Sequence, residues 1–187
     1  MRFSFVIALF LLPFLVEGQR IDFRNDSLFI NNYFVDRMTS KITLDSLLND
    51  KGKLKKVAGK HRPGSKETLK WTKIIYNRAG LIFSNPDDDS STLSVAIKLH
   101  INTNPEVDRN NMPTNTFKGD LFIDINYMND KRKISELQKL KNFSVSFKES
   151  TFASHTGIVS CTISYQKREI RALFDFQTNE LTCLFID

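Results

Sequence analysis

The chain has 187 residues, with 27 Lys and Arg against 21 Asp and Glu, for a net charge of +6. That length suits one ordinary domain or two small ones, and 16 Phe supply the apolar area for a sizeable core. No apolar run reaches the 18 residues a membrane-spanning helix needs, so the chain beyond its leader is expected to be soluble and not transmembrane.

The first residues read as a secretory signal. Met1 and Arg2 give a short positive start, and Phe3 to Val16 form an apolar stretch too short to cross a bilayer. Val16 and Gly18 suit the small-residue cleavage rule, so residues 1–18 are expected to be removed, with export to the periplasm or the exterior. The remaining charge is uneven. Residues 51–73 hold nine basic side chains against Glu67 alone, a local +8, which leaves about −2 elsewhere.

In chain order, Leu28-Phe29-Ile30 and Tyr33-Phe34-Val35 bracket Asn31-Asn32 as strand, turn and strand. Thr43 is the expected N-cap of a short helix with Leu44, Leu47 and Leu48 on one face, ended by Gly52. Residues 51–70 contain Gly52, Gly59, Pro63 and Gly64 and read mostly as a basic loop. Trp71 to Tyr76, a turn at Asn77–Gly80 and Leu81 to Phe83 form a hairpin. Leu93, Val95, Ile97, Leu99 and Ile101 alternate with polar or small residues, the pattern of a strand buried on one face. A linker is expected over 105–116, then a strand over 117–127 and a second helix from Ile134. A strand around Val145 and a meander over 158–165, 170–176 and 181–186 complete the pattern.

The expected class is α+β, mostly antiparallel β with two short helices. The two halves, 19–104 and 117–187, resemble each other. Leu28-Phe29-Ile30, Asn32-Tyr33 and Ile42-Thr43 parallel Leu121-Phe122-Ile123, Asn126-Tyr127 and Ile134-Ser135 at offsets of 92 to 94 residues, as a duplicated unit packed on itself would.

Cys161 and Cys183 allow a disulfide in an oxidising compartment. In a simple meander, however, their strands flank a third and lie about 10 Å apart, too far for a bond that needs Cα atoms within about 7 Å. Bridge and buried thiols both stay open. His61, His100 and His155 share no metal-ligand spacing, and Asp87-Asp88-Asp89 lacks the glycine and distal Glu of a calcium loop. No metal or cofactor is expected. Asn25-Asp26-Ser27 and Asn142-Phe143-Ser144 match the glycosylation sequon.

The helix start Ile42–Leu48, the strand–turn–strand from Trp71 to Gly80-Leu81, the entry Phe117-Lys118-Gly119 and the alternating C-terminal strands together resemble small exported bacterial domains of unknown function. Some of those stand near toxin–immunity systems. The resemblance implies a β-rich fold and no particular site residue. The function expected is therefore an exported, non-enzymatic interaction protein of immunity or inhibitor type. It would dock an acidic protein partner or an anionic envelope component through Lys53, Lys55, Lys56, Lys60 and Arg62. A nucleic-acid partner does not fit export. The rival readings are an exported hydrolase with a dispersed site, and an anion- or glycan-binding module.

Overall fold

The structure is a computed structural model that describes residues 19–61, 68–86, 93–104, 112–148, 157–166 and 168–186. The expected signal segment, Arg62, Asp87–Asp89 and His155 lie outside the described residues.

Thirteen strands form two sheets among the described residues. The first sheet has the order β3-β2-β1-β8-β9. It contains β1 (Arg20–Arg24), β2 (Ser27–Ile30), β3 (Tyr33–Val35), β8 (Asp120–Ile123) and β9 (Asn126–Met128). The second has eight strands in the order β10-β11-β12-β13-β7-β6-β5-β4. It is built from β4 (Lys53–His61), β5 (Thr68–Tyr76), β6 (Leu81–Pro86), β7 (Ser94–Lys98), β10 (Ser144–Lys148), β11 (Ile158–Tyr165), β12 (Arg168–Asp175) and β13 (Leu181–Ile186). Every pairing is antiparallel except β1 with β8. With helices α1 (Lys41–Leu48) and α2 (Ile134–Leu137), this is an α+β architecture dominated by antiparallel strands.

The inner faces of the sheets share one core. Ile21, Phe23, Leu28, Ile30, Leu121 and Ile123 of the small sheet join Tyr76, Leu81, Phe83, Ile97, Ile163, Tyr165, Ile170 and Leu184 of the large one. The contact is direct: the rings of Phe23 and Tyr165 meet edge to face at 6.2 Å. Burying such aromatic and aliphatic area is the main favourable term in holding two sheets together.

The helix boundaries correct the sequence reading. Ser40, not Thr43, caps α1: its Oγ accepts the Thr43 N–H at 3.1 Å. Asn49, in the left-handed region, ends the helix three residues before Gly52. Gly52 serves a close approach instead, since a Cβ there would lie 2.6 Å from the Tyr76 ring. The strand expected over 117–127 is the hairpin of β8 and β9, reversed at Asp124.

Two further differences concern β7 and β4. The strand β7 is buried on both faces, because Ala96 and Lys98 are covered as well as Val95 and Ile97. The covering segment includes Met112 and Pro113, whose carbonyl accepts from Lys98 Nζ at 3.0 Å. The basic stretch read as a loop is largely strand β4, because pairing with β5 holds Lys53 to Ala58 in register despite its glycines.

Candidate functional site

The basic hairpin lies at one end of the large sheet, with β4 as its edge strand. Together β4 and β5 carry six lysines and no carboxylate: Lys53, Lys55, Lys56, Lys60, Lys70 and Lys73. Alternation divides them between faces. Lys53 and Lys55 share the outer face with Ile75, Lys73, Val57 and Trp71. Lys56 shares the other face with Leu54, Thr72 and Ile74. Lys53, Lys55 and Lys56 are all exposed. Lys60 belongs to the same strand, beyond the point where the register shifts between Ala58 and His61. The structure therefore brings Lys53 and Lys55 together and turns Lys56 away.

Lys55 stands opposite Lys73. Like charges directly opposed across a sheet are destabilising. Next to this pair the outer face opens into a shallow groove of about 420 Å³. Trp71, Ile82, Ala96 and Phe185 give it an apolar floor, Ser84 and Ser94 add hydroxyls, and Lys73 and Arg171 stand in its wall. The Arg171 guanidinium stacks over Phe185 at 5.2 Å. Trp71 lines this groove half-buried, because the odd positions of β5 face away from the small sheet.

Among the described residues, the remaining histidine candidate, His100, forms no reactive centre. His100 Nε2 lies 3.1 Å from Glu180 and its Nδ1 3.7 Å from Asp130, a surface charge cluster with no nucleophile in it. No group of His, Cys, Asp and Glu among the described residues is placed to hold a metal ion. No helix among them is long and apolar enough to cross a membrane.

Cys161 pairs with Ala172, which pairs with Leu184; Cys183 pairs with Leu173. The two cysteines thus occupy opposite faces of the sheet with β12 between them. Both are buried and no disulfide joins them, and burial pushes the Cys161 thiol up to about 11.

Two acids, half-buried Asp45 and buried Asp175, are structural. Asp45 is drawn up by burial but more strongly down by Lys41, the Tyr76 hydroxyl and the Gly52 N–H, and ends below its ordinary range. Tyr76, which donates to it at 2.9 Å, is raised by burial and by that carboxylate. Asp175 takes four hydrogen bonds at the turn after β12.

One surface escaped the sequence reading. Across all five strands of the small sheet, Phe34, Phe29, Asp22, Phe122 and Tyr127 stand in one row on the outer face. Arg24 lies over Phe29 at 4.7 Å and Arg20 over Phe122 at 4.5 Å, while Arg20 also binds Asp22 at 2.8 and 3.1 Å. These guanidinium contacts cover aromatic area that would otherwise face water. The signal for this row was the alternation Arg20-Ile21-Asp22-Phe23-Arg24.

Comparison of the chain with protein-family models, with curated proteins and with solved structures gives no match.

Proposed function

We propose that this protein is an exported, non-enzymatic binding protein that docks an acidic partner through the β4–β5 hairpin, in the manner of an immunity protein or inhibitor. The observation that carries this reading is six lysines on two paired strands with no carboxylate, including Lys55 directly opposite Lys73. A hairpin with that concentration of one sign of charge attracts an anionic surface and repels a cationic one. The groove beside it adds Trp71 and Phe185, side-chain types that anchor protein interfaces.

Export rests on the leader at residues 1–18, with cleavage after Gly18. The partner is then met in the periplasm or outside the cell, and is a protein with an acidic surface or an anionic envelope component.

The two halves are read as copies of one unit. Offsets of 93 residues relate Phe29 to Phe122, Phe34 to Tyr127, the caps Ser40 and Lys133, and the buried Leu44 and Leu137. The four-stranded meanders β4–β7 and β10–β13 meet through their last strands, as a two-fold arrangement requires. The basic hairpin belongs to the first copy alone, since β10 and β11 place Ser144, Ser146, Ser160, Thr162 and Ser164 at the corresponding register positions and contain a single lysine, Lys148. One half then keeps the frame while the other bears the docking surface.

The test is capture from an extracellular or periplasmic extract by tagged wild-type protein and by K53E/K55E/K56E/K60E, with folding checked by circular dichroism. At least a tenfold loss of the captured partner in the folded variant is expected, along with loss of wild-type capture at high salt. Equal capture by both proteins overturns the docking role.

A further inference from the structure

Taking the basic hairpin as the docking surface, we infer that its occupant is an extended acidic segment of a partner protein, added to the outer edge of β4 as a ninth strand. Among the described residues no strand pairs with that edge. A sheet edge presents a row of backbone N–H and C=O groups able to pair with another chain. The four sheet edges differ sharply in length. β3 and β9 have three residues each and β10 has five, whereas β4 runs for nine. Short edges resist strand addition; a long one invites it. The register shift between Ala58 and His61 limits the regular ladder to Lys53–Ala58, about 20 Å of strand at about 3.4 Å per residue.

Charge then selects the occupant. A second copy pairing through β4 would set the lysines of one edge against the lysines of the other, a repulsive arrangement. An acidic strand does the reverse. A carboxylate opposite Lys55 extends the row Lys73–Lys55 with an opposite charge, and the next carboxylate on the same face of that strand meets Lys53. Leu54, 62% exposed on the opposite face from Lys53 and Lys55, offers an apolar contact to the alternate residues of a strand in which acidic and apolar side chains alternate. Lysines on this edge thus block self-association and favour a complementary strand.

The test uses the full chain beyond the leader and a fluorescent heptapeptide of alternating glutamate and valine, read by polarisation. Two further peptides carry backbone N-methyl groups on the odd or on the even residues. An added strand hydrogen-bonds along one edge only, so one methylation phase should weaken binding at least tenfold and the other less than twofold. K53E/K55E should weaken the parent peptide at least tenfold. Two methylated peptides that bind as well as the parent overturn strand addition, and so does a parent peptide that fails to bind. Either result leaves the docking role standing if capture from the extract still depends on the lysines. Capture that ignores the lysines removes the docking role itself.

Discussion

Replacing Asp175 with asparagine isolates one buried carboxylate. Its Oδ2 accepts from the Thr103 N–H and hydroxyl, both at 2.6 Å. Its Oδ1 accepts from the N–H of Gln177 at 2.7 Å and of Thr178 at 3.0 Å. Burial favours the neutral acid, but the bonds from Thr103, Thr178 and Gln177 outweigh it and hold the group at about 2, against an ordinary 3.8. The unfolded chain therefore binds the proton more readily than the native one. Stability from this group is complete above about pH 4 and is lost as pH falls toward 2. The displacement is worth about 2 kcal/mol after allowance for solvent screening. Asparagine keeps one oxygen but sets an NH2 group against the donors of the other side, so D175N should cost about 2–3 kcal/mol at pH 7. Urea unfolding of both proteins from pH 2 to 7 measures this. The two stability curves should converge by about 2 kcal/mol as pH falls from 4 to 2. Curves that stay parallel would refute the assignment of acid sensitivity to this carboxylate.

Two other perturbations follow from the backbone and the thiols. Gly80 has φ +72°, and a Cβ there would stand 2.3 Å from the Phe117 nitrogen, so Gly80→Ala should lower stability by about 2 kcal/mol or more in a urea titration; an unchanged midpoint would count against that contact. Both thiols should resist an aromatic disulfide reagent in the native protein and react together in denaturant, giving two equivalents per chain; one or no equivalent in denaturant would mean a bridge or prior oxidation.

Much of the frame was legible because its periods are simple. The pairs Leu28–Ile30 with Tyr33–Val35, Trp71–Tyr76 with Leu81–Phe83, and the C-terminal meander all appear where turn residues and alternation put them. The basic stretch was misread because Gly52 and Gly59 look like loop residues, whereas pairing of Lys53–Ala58 with β5 overrides local preference. Alternation in β7 predicted one covered face, and only the later segment near Met112 and Pro113 covers the other. The cysteines were separable only once register assigned each to a face. For the proposed binding surface, sequence located the lysines but not their division between Lys53 with Lys55 on one side and Lys56 on the other. It also missed the groove, whose lining comes from β4, β5, β6, β7, β12 and β13.

The parallel pairing of β1 with β8 sets an order on assembly. Arg20 is matched to Asp120 and Phe23 to Ile123, so the central strand of the small sheet waits for a neighbour made about a hundred residues later. The hairpins β2–β3 and β4–β5 close locally and early, whereas closing that long loop carries an entropic cost that is met only after most of the chain is present. A chain delivered from its N-terminus across a membrane would therefore hold Ile21 and Phe23 uncovered until β8 emerges. Over that interval such a chain would expose apolar surface that chaperones bind, and truncation before Asp120 would leave a product that aggregates rather than a smaller folded one.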